Sequence, residues 1–213
     1  MNKYGKITGV AEGVCTVTVT SADSPNVMAT VKVTVKPLAE VAGATYIDGI
    51  LVVNKTYSLP SDYAPGVDPD AQAALDEMIK AAQDEDIKLW MRSGFRSYER
   101  QKTLYNNYVA RDGKAAADRY SARPGFSEHQ TGLAFDLNSL EQSFGDTKEG
   151  KWLAENCWKY GFILRYPTNK ESVTGYMYEP WHVRYLGKDT AKAVYDSGKC
   201  LEEYLNITSV YAD

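Results

Sequence analysis

The sequence has 213 residues, of which 44% are hydrophobic and 24% are charged, and its net charge is −4. Such a chain is globular and long enough to bury a core, as one large domain or as one domain with a small module. The acidic balance argues against nucleic-acid binding as the main function, and no apolar run approaches the length of a membrane span. No signal peptide is visible, so we expect any natural signal or membrane anchor to lie outside this sequence.

Residues 7–36 alternate between Val and Thr or Lys, most clearly in VCTVTVT (14–20) and TVKVTV (30–35). This period of two predicts a short all-β segment with half-buried antiparallel strands. The segment resembles the C-terminal part of a bacterial immunoglobulin-like repeat of the second type, without the front half of that repeat. We therefore predict a partial module at 1–36, a linker at 37–44 and the main domain at 45–213. Alternatively, the strands simply extend the main domain.

Helices and strands do not alternate strictly in the main domain, which predicts an α+β class with a mostly antiparallel sheet. Asp68 and Pro69 form a helix start, and an apolar stripe at Leu75, Met78 and Ala82 follows. Further helices are predicted from Ser97 to Gly113, at 114–120, from Thr147 to Gly161 and at 189–205. Strands are predicted at 87–91, 132–138, 162–166 and 176–185, and loops at 123–131 and 170–175.

Only two histidines occur in the sequence, and each has a carboxylate nearby. Asp136 follows His129 by seven residues, and Glu179 precedes His182 by three. Imidazole and carboxylate are zinc ligands, and a catalytic zinc site uses three protein ligands and leaves a position for water. Two histidines and one carboxylate would complete such a site, and the other carboxylate would remain as a base. The spacing does not decide which carboxylate is which, and structural His–Asp pairs are an alternative.

Glu179 and His182 would point to opposite faces of an ideal strand, because they are three residues apart. Pro180 lies between them and cannot donate a hydrogen bond to a neighbouring strand. We therefore expect an irregular backbone at Pro180, a bulge or an edge, that lets both side chains reach one cleft.

Two arginines and two neutral polar residues are further candidates for the site. Arg96, in SGFRS (93–97), could stabilise an oxyanion. Arg123, in SARPG (121–125), is suited to bidentate binding of a substrate carboxylate, and Ser127 and Gln101 could add hydrogen bonds. Taken singly, each of these residues is more often a salt-bridge or solvated residue.

The cysteines are Cys15, Cys157 and Cys200, an odd number without metal-binding spacing. A disulfide between Cys157 and Cys200 is open, but we favour buried free thiols.

Several separated motifs together resemble the VanY-type zinc carboxypeptidases of peptidoglycan. SEHQTGLAFD (127–136) resembles their SxHxxGxAxD signature, and EPWHVRY (179–185) resembles their second signature. SGFRS, Gln101 and SARPG also match in the same order, so the resemblance covers about residues 45–205.

The resemblance implies a role for each candidate residue. The zinc ligands would be His129, Asp136 and His182, and the general base would be Glu179. Arg96 would polarise the carbonyl group or stabilise the oxyanion, and the clamp on a terminal D-alanine would consist of Arg123, Gln101 and Ser127. The implied fold is the small α+β zinc-peptidase fold, with helices around a central antiparallel sheet.

The expected function is removal of the C-terminal D-alanine from peptidoglycan stem peptides, as a D-Ala-D-Ala carboxypeptidase that uses Zn²⁺. The family also implies work outside the cytoplasmic membrane, and a monomer is the default expectation. The first alternative is an L,D-carboxypeptidase that acts on tetrapeptide stems. Further alternatives are an endopeptidase and a non-catalytic wall-binding module with a structural zinc site.

Overall fold

The computed structural model of the protein describes residues 13–24, 26–35 and 41–212. The chain divides into two compact units, Met1–Glu40 and Val41–Asp213. Two parts of the predicted organisation lie outside the described residues: the start of the immunoglobulin-like segment, at 1–12, and the first part of the linker, at 37–40. The assignment of the segment to an immunoglobulin-like repeat stays a prediction.

The first unit contains a hairpin of two antiparallel strands, β1 (Gly13–Thr20) and β2 (Met28–Val35). Gly13 pairs with Val35 at the open end, and Thr20 pairs with Met28 next to the turn. Both strands were predicted from the alternation of Val with Thr or Lys, and both are confirmed.

The second unit begins with a short hairpin of β3 (Thr45–Ile47) and β4 (Ile50–Val52). Its two turn residues, Asp48 and Gly49, have φ angles of 50° and 77°. Positive φ at both central positions is typical of the turn whose twist matches that of the flanking strands.

A four-stranded sheet forms the centre of the second unit. Its strands are β5 (Met91–Ser93), β6 (Ala134–Leu137), β7 (Phe162–Tyr166) and β8 (Glu179–Tyr185). They lie in the order β5-β6-β8-β7, and every neighbouring pair is antiparallel. The α+β class with an antiparallel sheet is confirmed.

Helices surround this sheet, and three of them start at the capping residues that the sequence predicts. The α-helices are α1 (Pro69–Asp84), α2 (Tyr98–Asp112), α3 (Lys114–Ala117), α4 (Lys148–Asn156), α5 (Glu171–Thr174), α6 (Lys188–Ser197) and α7 (Leu201–Leu205). Single 3₁₀ turns occupy Glu128–Thr131, Gln142–Asp146 and Cys157–Tyr160. The side chains of Asp68, Ser97 and Thr147 each accept a backbone N–H of the first turn of α1, α2 and α4.

The predicted strand at 87–91 is wrong except for its last residue. Ile87 and Leu89 are buried in the core, but they have no strand partner. Pairing starts at Met91, because its partner in β6 is Leu137, the last residue of that strand. The run at 87–91 contains Ile87 and Leu89 because these side chains are buried in the core. A strand also requires a neighbouring strand to pair with, and residues 87–90 have none.

The predicted closing helix at 189–205 is two helices, α6 and α7. Gly198 ends α6 with a φ of 66°, a left-handed conformation that glycine adopts without steric cost. Two predicted loops also contain helical turns, since α5 lies within 170–175 and His129 lies in the 3₁₀ turn Glu128–Thr131. The third predicted helix ends at Ala117 and not at 120.

The two faces of the central sheet differ in chemistry. Phe135, Leu137 and Val183 point into the main core, where they pack with the apolar stripe of α1. Asp136 and His182, their neighbours in sequence, point to the opposite face. The strand alternation therefore separates an apolar core from a polar site.

Cys157 and Cys200 are buried free thiols, as we favoured, and Cys15 is an exposed thiol. Within the described ranges, no helix is both long and apolar enough to cross a membrane.

Candidate metal centre and active site

The three predicted metal ligands come from two adjacent strands and the 3₁₀ turn before one of them. Asp136 on β6 pairs directly with His182 on β8, so both side chains leave the same face of the sheet. His129 lies in the turn Glu128–Thr131, which ends at Gly132 with a φ of 75°. The chain then enters β6, and this reversal places His129 beside Asp136.

The ligand atoms of these three residues converge. His129 Nε2 is 3.1 Å from Asp136 Oδ2, and His182 Nδ1 is 3.2 Å from Asp136 Oδ1. One ligand atom from each residue lies within 4.8 Å of the others, and all three residues are buried. Ligand atoms in a tetrahedral zinc site, at about 2.0–2.2 Å from the metal, are about 3.3–3.5 Å apart. The group is therefore close to the size that such a site needs.

The outer nitrogen of each imidazole has an acceptor, which leaves the inner nitrogen free for a metal. His129 Nδ1 is 2.7 Å from the carbonyl oxygen of Gly94, and His182 Nε2 is 3.3 Å from Glu128 Oε2. These contacts require a proton on the outer nitrogen, as in most metal-binding histidines. Asp136 Oδ1 is buried without a hydrogen-bond partner, despite its closeness to His182. A cation between the three side chains would satisfy that oxygen.

A bulge in β8 brings Glu179 to the same face as His182. Leu164 of β7 pairs with Val183, and Tyr166 pairs with Glu179. A step of two residues along β7 therefore corresponds to a step of four along β8. The extra residues around Pro180 cancel the alternation, and Glu179 Oε2 lies 3.6 Å from His182 Nδ1. The expected irregularity is confirmed, and it is a bulge within the sheet.

The electrostatics of the site favour a cation. Burial would lower the pKa of His182, but the nearby carboxylates of Asp136 and Glu128 outweigh it and raise this pKa to about 9. Burial raises the pKa of Glu179 to about 8, with a further contribution from Asp136. Burial lowers the pKa of His129, against the effect of Asp136, and so favours the neutral imidazole that binds metals.

These residues lie in the wall of a cavity of about 640 Å³. Arg96, Gln101 and Ser127, which were predicted from the sequence, also line it. Further lining residues include Ser121, Tyr166, Tyr176 and Trp181.

Arg96 is held at the cavity wall by three neighbours. Its Nη1 donates to Gln101 Oε1 at 3.0 Å, and its Nη2 donates to Ser93 Oγ at 3.0 Å and lies 3.6 Å from Asp136 Oδ2. The amide of Gln101 donates in turn to the carbonyl oxygen of Ala122 at 2.6 Å. Gln101 therefore orients Arg96 through its oxygen while its amide is anchored to the backbone.

Arg123 is not among the residues that line the cavity. Its Nη2 and Nε donate to the two carboxylate oxygens of Asp118, at 2.9 and 3.2 Å. Its guanidinium also stacks on the ring of Tyr211, at 3.7 Å from the centroid. Its role as a carboxylate clamp stays a prediction.

A buried charge network beneath the site was missed by the sequence analysis. Glu128 accepts from Arg165 Nε at 2.8 Å and from Arg184 Nη1 at 2.9 Å, and Glu202 accepts from Arg165 at 2.8 and 2.5 Å. Burial would raise the pKa of Glu128, but the two arginines hold it below its ordinary value. The signal was an arginine within each of the apolar strand sequences FILRY and WHVRY.

Comparison with known proteins places this site in a family. The VanY family, described as D-alanyl-D-alanine carboxypeptidase, matches residues 65–188, which is more than half of the chain. The chain belongs to this family. The match includes the three candidate ligands, Glu179 and the cavity residues Arg96, Gln101 and Ser127.

Three relatives in this family show how close the likeness is. YodJ of Bacillus subtilis strain 168 is 44% identical over 180 residues, which are 73% of this chain and 66% of that protein. The solved structure of the LdcB LD-carboxypeptidase is 50% identical, with a TM-score of 0.71 over 76% of this chain and 89% of that one. A mutant of the D,D-pentapeptidase VanY in complex with Zn(II) is 35% identical, with a TM-score of 0.66 over 73% of this chain and 98% of that one.

Proposed function

We propose that this VanY-family protein is a zinc-dependent carboxypeptidase that removes the C-terminal D-alanine from peptidoglycan stem peptides. The observation that carries the proposal is the convergence of His129, Asp136 and His182, with Glu179 beside them, at the wall of one cavity. The VanY structure in complex with Zn(II) supports zinc as the metal. Because the proposed substrate is peptidoglycan, the proposal also implies a location outside the cytoplasmic membrane.

The residues of the chain divide the chemistry among them. His129, Asp136 and His182 would hold the metal, and Glu179 would take a proton from the attacking water and return it to the leaving amine. A zinc ion held there would polarise the scissile carbonyl, acidify a water molecule and lower the pKa of Glu179. Arg96 presents a fixed positive charge to the cavity, where negative charge develops in the transition state.

The substrate specificity has two candidates. The 50% identity to an LD-carboxypeptidase favours cleavage of the L,D bond of a tetrapeptide. The D,D activity that the sequence analysis put first has support from the D,D-pentapeptidase VanY, at 35% identity. Both reactions release D-alanine from a free C-terminus, so the catalytic residues would have the same roles in each.

Incubation of the zinc-loaded protein with synthetic tetrapeptide and pentapeptide stems, followed by mass spectrometry, tests the proposal. We expect loss of one alanine from the tetrapeptide at a higher kcat/KM than from the pentapeptide. The opposite order would support the D,D-carboxypeptidase. Loss of alanine from neither peptide would overturn the exopeptidase proposal, and soluble fragments from intact sacculi would then indicate an endopeptidase.

A further inference from the structure

Glu128 lies next to the metal ligand His129 in sequence and contacts the metal ligand His182 in space. Its side chain is buried, and its two carboxylate oxygens have different partners. Oε1 accepts from Arg165 at 2.8 Å and from Arg184 at 2.9 Å. Oε2 lies 3.3 Å from His182 Nε2, on the side of the ring away from Asp136.

The two arginines have second anchors that keep Glu128 in place. Arg165 binds Glu202 of α7 with Nη1 and Nη2, at 2.8 and 2.5 Å. Arg184 donates from Nη2 to the carbonyl oxygen of Leu51 at 2.7 Å. Rotation of the Glu128 carboxylate away from His182 would therefore break two charge-assisted hydrogen bonds in a buried site.

We propose that Glu128 is a positioning residue of the metal centre: it holds the proton of His182 on Nε2 and thereby directs the Nδ1 lone pair at the metal. His129 is held in the opposite sense, since its Nδ1 faces the carbonyl oxygen of Gly94 and its Nε2 faces Asp136. The two histidines would therefore bind one metal through different ring nitrogens. This inference rests on the zinc site proposed above.

The Glu128→Gln variant tests the proposal, because the amide keeps the shape of the side chain and loses the charge. Its single acceptor oxygen cannot serve His182 and both arginines. We expect the zinc dissociation constant, measured by competition with a chromogenic chelator, to rise by roughly 10- to 100-fold, as for other partners of metal-binding histidines.

Glu202→Gln is the matched control. Glu202 binds the same Arg165 as Glu128 does and is also buried, but its other side-chain partner is Asn54 and not His182. We expect a loss of thermal stability in this variant without a change in zinc affinity. An equal loss of zinc affinity in both variants would overturn the proposal, because it would make the network a purely structural support.

Nitrogen-15 spectra of the imidazole rings give a readout that does not depend on activity or on a variant that folds. Only two histidines contribute signals. In the zinc-loaded wild-type protein we expect His182 to be metal-bound at Nδ1 and protonated at Nε2, and His129 to show the reverse.

In zinc-loaded Glu128→Gln, the Nε2 proton of His182 should exchange faster with water, while the Nδ1 proton of His129 stays unchanged. His182 bound through Nε2 in the wild-type protein would overturn the inference even if the variant does not fold. An unchanged zinc affinity in Glu128→Gln would overturn the inference about Glu128 and leave the proposed zinc site intact. Failure of the wild-type protein to bind zinc would overturn the proposed site itself.

Discussion

Asp136 and Glu179 are two buried carboxylates near His182, and their surroundings shift their pKa values in opposite directions. Burial would raise the pKa of Asp136, but His129 and His182 hold it below its ordinary value. Burial raises the pKa of Glu179 to about 8, and the imidazole of His182, at 3.6 Å, offsets this rise only in part. A carboxylate that stays ionised is suited to bind a metal, and one with a raised pKa is suited to exchange protons.

The Glu179→Gln variant should lose turnover and keep its metal. We expect kcat to fall by a factor of roughly 10²–10⁴, since the amide cannot accept a proton. Bound zinc should stay stoichiometric, because the three ligands are intact. Kinetics with the preferred stem peptide and a metal assay on the same sample check both expectations.

Glu141→Gln is the control for this prediction, because Glu141 also lines the cavity but is exposed. It should leave kcat unchanged. Full activity of Glu179→Gln would remove Glu179 from the role of general base.

The Arg96→Ala variant should lower kcat/KM by a factor of roughly 10²–10³, the effect of removing one donor to a developing oxyanion. Gln101 and Ser93 hold the Arg96 guanidinium at the cavity wall, so the variant should lose a fixed positive charge at this position. Arg92→Ala is the control, because Arg92 is exposed and does not line the cavity. Equal kcat/KM values for the two variants would contradict the role of Arg96.

At the scale of elements, the site depends on two departures from regular structure. The bulge at Pro180 lets Glu179 and His182 share one face of β8. The turn at Gly132 connects the 3₁₀ turn that carries His129 to β6, which carries Asp136. Each departure brings together two functional side chains that a regular element would separate.

Gly132→Ala should destabilise the protein more than Gly198→Ala does. Both glycines have left-handed φ angles, 75° and 66°, so alanine costs about 1–2 kcal/mol at either position. At Gly132 the new Cβ would also lie 2.1 Å from the carbonyl oxygen of Gly66, whereas nothing lies within 4 Å at Gly198. Relief of this overlap should cost about 1–3 kcal/mol more.

Urea unfolding of the two glycine variants measures the difference in the free energy of unfolding. Zinc affinity should also fall in Gly132→Ala, because the shift moves the turn that carries His129. An equal free energy of unfolding in both variants would show that the backbone at Gly66 moves away from the new Cβ without loss of stability.

At the scale of the whole molecule, the second unit holds the candidate site and its own core. The ligands, Glu179 and the central sheet all lie within Val41–Asp213. The hairpin of the first unit leaves several apolar side chains exposed, among them Val14, Val19 and Val31. Two strands are marginal on their own in water, whereas the second unit has its own core, so we expect the second unit to fold without residues 1–40.

Removal of residues 1–40 should therefore leave kcat/KM and the midpoint of thermal unfolding unchanged. Removal of residues 206–213 is the truncation to compare with it. That segment is bound to the N-terminal part of the same unit, since Thr208 O accepts from the Asn54 side chain and Ser209 Oγ accepts from the backbone N–H of Lys55. We expect this truncation to lower the midpoint. A large loss of activity on removal of 1–40 would show that the first unit contributes to the enzyme.

The sequence by itself determined the parts of this protein that depend on local chemistry. The caps Asp68, Ser97 and Thr147 placed three helix starts, because a side-chain oxygen binds the free N–H groups of the next turn. The alternation of side chains predicted β6 within 132–138, and the short run of mostly apolar residues predicted β7 at 162–166. The two histidines with their nearby carboxylates indicated a metal site, and the resemblance to the VanY family implied that Asp136 is the ligand and Glu179 the base.

Only the tertiary structure decided what depends on partners distant in sequence. The strand at 87–91 failed because pairing with β6 starts at Met91, which the local apolar pattern could not reveal. The guanidinium of Arg123 is suited to bind a carboxylate, but it binds Asp118 and stacks on Tyr211, and Arg123 does not line the cavity. The sequence places Arg165 within an apolar strand, but only the tertiary structure shows that Glu128 and Glu202 are its partners.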